Sequence, residues 1–278
     1  MLINLETLWL GSNEFEGEFI INEENFPTSI KTLDLSGNML TDFLGGWKLT
    51  NLETLWLQDN EFVGDVMVDE ENFPVSIKKL YLYNNRLTGF FGGKILKNLE
   101  QLNLNDNEFV GDFIVNKENF PTSIKWLILD NNKLTSFVGG GILTSLEKLW
   151  IDNNEISGAL VIRAENFSTS IKEIWLFGNK LTSFEGGGIL INLETLLLQD
   201  NELNGDLMII AENFPPSVKD MNLSDNKLTS VEAEPGAVIN LSELYVTGNW
   251  GTVTIGDELC SHRPDLSISS SASYTCNV

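Results

Sequence analysis

The chain has 278 residues, 42% of them hydrophobic, so it can bury a large core without help from a metal or dense disulfide bonding. Its 40 acidic residues outnumber 17 Lys and Arg residues, and the net charge of −23 argues against nucleic acid and anionic lipid as partners. No stretch approaches the roughly 18 consecutive apolar residues that a membrane-spanning helix needs. We therefore expect no transmembrane segment and no nucleic-acid partner.

The N-terminus, MLINLETLWL, enters a repeated pattern at once. It has neither the basic region nor the small-residue cleavage site of a secretory signal peptide. We expect that a leader and an N-terminal cap are absent from this chain.

A nine-residue pattern of the form LxxLxLxxN occurs eleven times along the chain, for example as LETLWLGSN from residue 5 and IKTLDLSGN from residue 30. Successive copies begin alternately 25 and 22 residues apart, with one spacing of 23 at the end. The true period is therefore a pair of 47 residues. Repetition with such a period predicts a solenoid in which each repeat stacks on its neighbours.

Each LxL segment predicts a short strand, because alternation places its two leucines on one face and the residue between them on the other. An asparagine ends each copy, where the chain leaves the strand. We expect these asparagines to form a buried ladder whose side-chain amides satisfy backbone groups of the turn and of the next repeat. They are Asn13, Asn38, Asn60, Asn85, Asn107, Asn132, Asn154, Asn179, Asn201, Asn226 and Asn249.

This pattern resembles the leucine-rich repeat family over nearly the whole chain. The resemblance implies a β-rich α/β solenoid: a right-handed arc with a concave parallel sheet of about eleven strands and a convex side of loops and short strands. We assign residues 1–249 to the solenoid and residues 250–278 to a C-terminal cap. The longer repeats, such as NEFVGDV at 60–66, resemble the plant-type extracellular subclass, although the FPTSIK segments are also similar to bacterial repeats with a Leu-Pro segment.

The segments between the strands predict a convex side with two alternating forms. In the longer form, Val66 and Val68 alternate like a short strand, and a phenylalanine such as Phe73 is expected to close the core. The shorter form carries glycine pairs that begin at Gly45, Gly92, Gly139 and Gly186. They predict turns with positive φ rather than a nucleotide-binding loop, since we expect neither a helix nor Lys-Ser/Thr after them.

Both cysteines, Cys260 and Cys276, lie in the last 19 residues. This concentration predicts a disulfide bond in the cap and an oxidising compartment, with two free thiols as the alternative. The segment GTVTIGDELC…TC also resembles the closing segment of secreted leucine-rich repeat proteins. We therefore expect an extracellular or cell-surface protein.

Aromatic side chains recur at the position between the two strand leucines and at its neighbours two residues away. Because all these positions face outward from the concave sheet, we expect two aromatic clusters, one in repeats three and four and one in repeats six to eight. Exposed apolar patches mark interaction sites, but contact between the rings within the sheet explains the pattern as well. The candidate ligand-binding residues are Trp56, Tyr81, Tyr83, Trp126, Ile128, Trp150, Trp175 and Phe177.

Two polar patterns accompany these aromatics. The second position of successive repeats alternates between Glu and Lys from Glu6 to Lys219, which predicts lateral ion pairs that fix the 47-residue register. Acidic and amide residues such as Asp59, Asp106 and Asp130 gather at the strand ends. Oxygen ligands of this kind suit Ca²⁺, yet they form no known calcium loop, and turn formation explains them equally well.

Three glycosylation sequons begin at Asn166, Asn222 and Asn240, and we regard Asn166 and Asn240 as the candidate acceptors because Asn222 lies on the concave strand. Chance occurrence is the alternative. The single histidine, His262, stands beside Cys260, and no Ser/His/acid or Cys/His set can be assembled around the repeats.

We therefore predict a non-enzymatic protein without cofactors that recognises a protein or polysaccharide through its concave face. The alternative is a structural or adhesive repeat protein of the cell surface that acts by assembly. Variation at the concave positions against uniform convex segments favours recognition.

Overall fold

The structure, a computed structural model, describes residues 3–22, 24–237, 239–250, 254–260, 267–269 and 275–276. The chain divides into two compact units, the first comprising residues 1–133 and 142–146 and the second residues 134–141 and 147–278. Both units consist of the same alternating repeats, and nearly all regular structure in the described segments is β-strand.

The strands of the repeats are short. In chain order they are β1 (Thr7–Trp9), β2 (Glu16–Ile20), β3 (Thr32–Asp34), β4 (Met39–Leu44), β5 (Thr54–Trp56), β6 (Val63–Met67), β7 (Lys79–Tyr81), β8 (Arg86–Phe91), β9 (Gln101–Asn103), β10 (Val110–Ile114), β11 (Trp126–Ile128), β12 (Lys133–Val138), β13 (Lys148–Trp150), β14 (Ser157–Val161), β15 (Glu173–Trp175), β16 (Lys180–Glu185), β17 (Thr195–Leu197), β18 (Asn204–Ile209), β19 (Asp220–Asn222), β20 (Lys227–Ala233), β21 (Glu243–Tyr245), β22 (Thr254–Ile255), β23 (Ser267–Ser269) and β24 (Thr275–Cys276). Helical structure among the described residues consists of 3-10 turns at Gly46–Lys48, Gly93–Ile95, Gly140–Ile142 and Gly187–Ile189 and of the short helix α1 (Asp257–Cys260).

The LxL strands form the main sheet, as predicted. Its order is β1-β3-β5-β7-β9-β11 in the first unit and β13-β15-β17-β19-β21-β23 in the second, with parallel neighbours. The register aligns the central leucines, so that Leu55 pairs with Leu33 and Leu80. All three have 0% exposure, and each buried leucine side chain contributes roughly 1.5–3 kcal/mol to stability. Stacking of leucines therefore supplies the core, and β23 adds a strand beyond the eleventh repeat.

The predicted asparagine ladder is confirmed. At Asn60, the Oδ1 atom accepts the backbone N–H of Leu40 at 3.0 Å, while Nδ2 donates to the carbonyls of Leu35 and Leu57 at 3.0 and 3.1 Å. Leu35 and Leu40 belong to the preceding repeat, so each amide joins two repeats. Asn13, in the first repeat, is exposed and donates only to carbonyls of its own turn.

The residue before each ladder asparagine adopts a left-handed conformation, with φ of 57° at Asp59 for example. Asp, Asn and Gly tolerate this conformation better than other residues. In the first repeat this position holds Ser12, which adopts the same conformation. These residues are Ser12, Gly37, Asp59, Asn84, Asp106, Asn131, Asn153, Gly178, Asp200, Asp225 and Gly248. The geometry of the turn therefore explains most of the acidic and amide residues at the strand ends.

On the opposite side of the core, the outer strands pair in parallel. β2 pairs with β4 and β6 with β8 in the first unit, and β14 with β16 and β18-β20-β22-β24 in the second. Val66 and Val68 are buried, as their alternation predicted. Phe73 is also buried, and its ring lies 5.8 Å from that of Phe43, so phenylalanines close the core on this side.

The predicted positive φ is confirmed at Gly45, Gly92, Gly139 and Gly186. The expectation that no helix follows these glycines was wrong, because a single 3-10 turn follows each of them. The next glycine allows this turn to form. At Gly46 a Cβ atom would collide with the ring of Phe43 and the carbonyl of Asn72, so the backbone packs directly on the core.

The predicted lateral ion pairs also form, within each 47-residue pair of repeats. Lys31 lies 2.8 Å from Glu6, Lys78 lies 2.9 Å from Glu53, and the same pairing recurs through Lys219 and Glu194 at 2.8 Å. These side chains are about half exposed, so each pair contributes only a few tenths of a kcal/mol. Their main effect is to disfavour a shift by one repeat, which would bring like charges together.

Only part of the C-terminal segment is described. Sγ of Cys260, in α1, lies 3.8 Å from the carbonyl oxygen of Ile255, and the backbone of Ile255 pairs with that of Cys276. The side chain of Cys276 lies outside the described residues, as does His262. The Cys260–Cys276 disulfide bond and the division between solenoid and cap at residue 249 stay predictions.

Replacing a buried ladder asparagine should destabilise the fold far more than replacing the exposed first one. Asn107→Ala removes donors to the carbonyls of Leu82 and Leu104 and the acceptor for the N–H of Leu87, all buried. We expect a loss of roughly 2–4 kcal/mol in the free energy of unfolding, measured by urea denaturation. Asn13→Ala is the matched control, and equal losses for the two variants would contradict the ladder's role.

Candidate functional site

The candidate site is the outward face of the main sheet. All eight predicted ligand-binding side chains lie on it and are half-buried, because neighbouring side chains on the same face cover part of each. The strand alternation is confirmed directly: in β5, Leu55 is buried while Thr54 and Trp56 are partly exposed. The face is therefore a wet surface built from aromatic and charged side chains.

In the second unit, Trp150 and Trp175 form the most regular ring contact of this face. They are register partners on β13 and β15, and their ring centroids lie 4.0 Å apart with an interplanar angle of 5°. Phe177 continues the cluster, with its ring 6.1 Å from that of Trp175. The contact is favoured because adjacent parallel strands lie about 4.8 Å apart, close to a stacking distance.

Polar groups fix the orientation of this pair. Nε1 of Trp150 donates to Glu173 at 3.1 Å, and Glu173 also forms a 2.9 Å ion pair with Lys148. The Lys148 ammonium lies 5.7 Å from the centre of the Trp150 ring, within the range of a cation–π interaction. The buried indole N–H of Trp175 has no hydrogen-bond partner among the residues that the structure describes.

The first unit carries a second cluster, which includes a residue absent from the predicted set. Trp56 lies 6.2 Å from Tyr81, as expected, but its ring also stacks on Trp9 at 4.9 Å and 28°. Asp34 lies between these two tryptophans in the sheet. Trp9 is 63% exposed and occupies the same position between the leucines, which was the signal that could have identified it.

The remaining predicted residues of the first unit lie on β7 and β11 or just beyond. The Tyr81 hydroxyl donates to Gln101 at 3.0 Å. Tyr83 lies two residues later and therefore faces the same way. Burial raises the pKa of Tyr81, and the neighbouring Tyr83 acts in the same direction. Burial also raises the pKa of Tyr83, assisted by the negative charge of Asp59. Both phenols are therefore neutral hydrogen-bonding groups at physiological pH.

Trp126 and Ile128 flank the buried Leu127 on β11, so both share the outward face with Tyr81 and Tyr83. The register pairs Ile128 with Asn103 and Trp126 with Gln101. On this face, β9 therefore places the amides Gln101 and Asn103 between Tyr81 on one side and Trp126 and Ile128 on the other.

The acidic strand ends do not assemble a cation site within the described segments, where no group of three or more His, Cys, Asp or Glu residues could hold a metal ion. Asp130 is nevertheless unusual. Burial raises its pKa to about 6, and the negative charge of Asp106 acts in the same direction. The Asn131 side chain donates to Asp130 at 3.0 Å and opposes this shift.

The two candidate glycosylation asparagines have structural contacts. Oδ1 of Asn166 accepts the backbone N–H of Gly139 at 3.1 Å, and Asn213 makes the same bond to Gly186. Nδ2 of Asn240 donates to the carbonyl of Pro216 at 2.8 Å, as Asn192 does to Thr169. These repeated contacts explain both asparagines without a glycan, so their glycosylation stays a prediction.

Comparison with known proteins agrees with the observed repeats. Residues 28–70 and 75–117 match the family model described as leucine rich repeats in two copies. Comparison with curated protein sequences gives no match. The match covers four of the eleven LxxLxLxxN repeats, and the same pattern continues in register before and after it.

The fold is similar to those of bacterial leucine-rich repeat proteins. A Leptospira interrogans protein is 24% identical, with a TM-score of 0.67 over 96% of this chain and 72% of that chain. The functional domain of InlJ from Listeria monocytogenes is 19% identical, with a TM-score of 0.70 over 97% of this chain and 54% of that chain.

A plant structure is also similar. It is the ectodomain of the membrane receptor kinase GASSHO1/SCHENGEN3 from Arabidopsis thaliana, in complex with CASPARIAN STRIP INTEGRITY FACTOR 2. It is 25% identical, with a TM-score of 0.60, and the alignment covers 98% of this chain and 36% of that chain. Plant and bacterial structures thus fit comparably well, and the plant-type subclass stays a prediction. Among the described residues, no helix has the length and apolar character to cross a membrane.

The raised pKa of Asp130 predicts that ionisation of this carboxyl lowers the free energy of unfolding, by an amount that depends on pH. Because about 6 lies above the ordinary value of 3.8, the folded chain holds this proton more tightly than the unfolded chain does. The contribution of Asp130 to stability is therefore greatest below about pH 4 and is lost as the pH rises through 6. Asp130→Asn should thus stabilise the protein more at pH 8 than at pH 5, by on the order of 1 kcal/mol after solvent screening.

Urea denaturation at the two pH values measures this difference, and an NMR titration of the Asp130 carboxyl gives the pKa directly. Asp225→Asn, at an exposed strand end of the second unit, is the control. A wild-type Asp130 that titrates near pH 4 would contradict the expected burial effect.

Proposed function

We propose that the protein is a non-enzymatic recognition module that binds a protein partner through the outward face of its main sheet. The observation that carries the proposal is the recurrence of half-buried aromatic side chains on this wet face, with the stacked Trp150 and Trp175 at the centre of one cluster. Tryptophan and tyrosine are enriched among residues that dominate binding energy, because they combine a large apolar area with a polar edge.

The ring geometry favours a protein over a polysaccharide. A sugar ring binds best on a free face of an aromatic ring, and the stacking of Trp150 on Trp175 at 4.0 Å removes one face of each ring. The charged pair Lys148–Glu173 lies next to these rings on the same face of the sheet. Mixed apolar and charged surfaces of this kind suit side chains of another protein.

Similar structures support recognition of proteins. The plant ectodomain is in complex with CASPARIAN STRIP INTEGRITY FACTOR 2, and FLRT2, at 22% identity with a TM-score of 0.65, lies in an octameric complex with Latrophilin 3 and Unc5D. We propose the same general mode for this chain. We also propose an extracellular or cell-surface location, on the basis of the cysteine pair Cys260 and Cys276.

A structural role through self-assembly has weaker support. A net charge of −23 makes copies of the chain repel one another, and the repulsion acts against close packing in a wall or coat. Basic partners, in contrast, are attracted to the same surface.

The double variant Trp150→Ser/Trp175→Ser tests the proposed face. Immobilised wild-type protein should retain a specific protein from the secreted and cell-surface fraction of the source organism, and the double variant should lose it by at least about tenfold in affinity. Loss of the ring contact should cost about 0.5–1.5 kcal/mol of stability, and loss of the half-buried ring area about 2–5 kcal/mol more, so the melting temperature must show that the variant is still folded.

Ile191→Ser is the matched control, because Ile191 is an exposed apolar residue of the same unit that lies before β17 and outside the sheet face. Equal capture by wild type and double variant would refute the proposed face. Retention of polysaccharides but not of proteins would refute the protein partner, and growth of large assemblies with concentration, measured by light scattering, would favour the structural alternative.

A further inference from the structure

The outer strands of the first unit carry a second, unrelated apolar surface. The last outward positions of β2, β4, β6, β8 and β10 hold Ile20, Leu44, Met67, Phe91 and Ile114, here called the apolar row. Ile20, Met67 and Ile114 are 55%, 59% and 56% exposed. The backbone register places Ile20 beside Leu44 and Met67 beside Phe91, so the row runs across both strands of each pair. Contiguous exposed apolar side chains of this size mark an interaction surface.

A row of carboxylates runs next to the apolar row. Two residues earlier on four of these strands lie Glu18, Asp42, Asp65 and Asp112, here called the acidic row. Residues two apart on a strand lie about 6.8 Å from one another, so the two rows are separated by one side-chain width. The register pairs Glu18 with Asp42, so two like charges lie side by side in the sheet.

A crevice connects the two rows. It has a volume of about 150 Å³ and lies between β4 and β6, which belong to different two-stranded outer sheets. Asp42 and Asp65 line it together with Val63 and Met67. An aliphatic stem that ends in a cation fits these walls, because the stem would contact the apolar residues while the charge meets the carboxylates.

The second unit shows that the apolar row is not needed for the outer strands to pair. There the same register positions combine Val161 with Glu185 and Met208 with Glu232. Both strand pairs form without a continuous apolar row, so packing of the outer strands does not explain its presence in the first unit.

We propose that the apolar and acidic rows of the first unit together form a docking surface for a basic amphipathic helix of another protein. The helix would lie across the outer strands, with its apolar side on the apolar row and its Lys or Arg side chains on the acidic row. Paired strands lie about 4.8 Å apart, and the gaps between the pairs are wider, so the five strands extend over at least roughly 20 Å, which a helix of about 14 residues or more matches. A second copy of this chain does not fit, because its charge of −23 has the wrong sign.

The test uses a synthetic helical peptide of roughly 18 residues with leucines on one face and lysines on the other, labelled for fluorescence anisotropy. We expect saturable binding to the intact protein and at least tenfold weaker binding to Met67→Lys, which removes apolar area and reverses the local charge. Met208→Lys, at the equivalent position of the second unit, is the matched control and should bind as wild type does.

Two further variants separate this surface from the main-sheet face and from bulk charge. Trp150→Ser/Trp175→Ser should bind the peptide unchanged, so that failure of the main-sheet proposal and failure of this one are distinguishable. A peptide in which serine replaces every leucine should bind at least tenfold more weakly. The proposal would be overturned by equal peptide affinity of the Met67→Lys and Met208→Lys variants, or by equal affinity of the protein for the two peptides. It would also be overturned if sedimentation showed that the wild-type protein is a dimer and that Met67→Lys makes it a monomer.

Discussion

The structure depends on one buried side-chain amide per repeat. Where the chain leaves a main-sheet strand, its backbone groups can no longer pair with the neighbouring strand, and leaving them buried without partners would cost about 1–3 kcal/mol each. The ladder asparagines supply these partners, as Asn85 illustrates. Its Nδ2 donates to the carbonyl of Leu57 in the preceding repeat and to that of Leu82 in its own repeat, and its Oδ1 accepts the backbone N–H of Phe62. The leucine core can stack indefinitely only because this amide closes each turn.

The same requirement explains the character of the strand ends. An asparagine can reach both repeats only if the residue before it takes the left-handed conformation, which favours Gly, Asn and Asp. Aspartates such as Asp106 therefore accumulate along one edge of the sheet for conformational reasons, and burial, assisted by the negative charge of Asp106, raises the pKa of Asp130. Part of the large negative charge is thus a consequence of the turn rather than of a ligand.

The repeats made much of this predictable. Eleven copies fixed which side chains point into the core, where the asparagines lie and which charges pair, because each of these follows from register alone. The contact of Trp9 with Trp56 could not be predicted in this way. Their strands are two spacings apart, about 9.6 Å, yet their rings lie 4.9 Å apart, so both lean over the short Asp34. Such leaning depends on side-chain rotamers and on the size of the residue between. The 3-10 turns after Gly45 and its equivalents were missed for a similar reason, since three residues carry no periodic signal.

The chain has two exposed surfaces, the outward face of the main sheet and that of the outer strands, and neither is constrained by packing in the core. On the main sheet, the position between two buried leucines contributes nothing to the core, so it can vary from Trp56 to Asn103 without loss of the fold. On the outer side, the strands are paired only in twos across most of the chain, and their outward residues are equally free. The two surfaces differ in chemistry: half-buried stacked rings next to charged side chains on the main sheet, and aliphatic side chains next to carboxylates on the outer strands. Two partners of different kinds are therefore compatible with one scaffold, because the asparagine ladder and the leucine core that support both surfaces contribute no atoms to either.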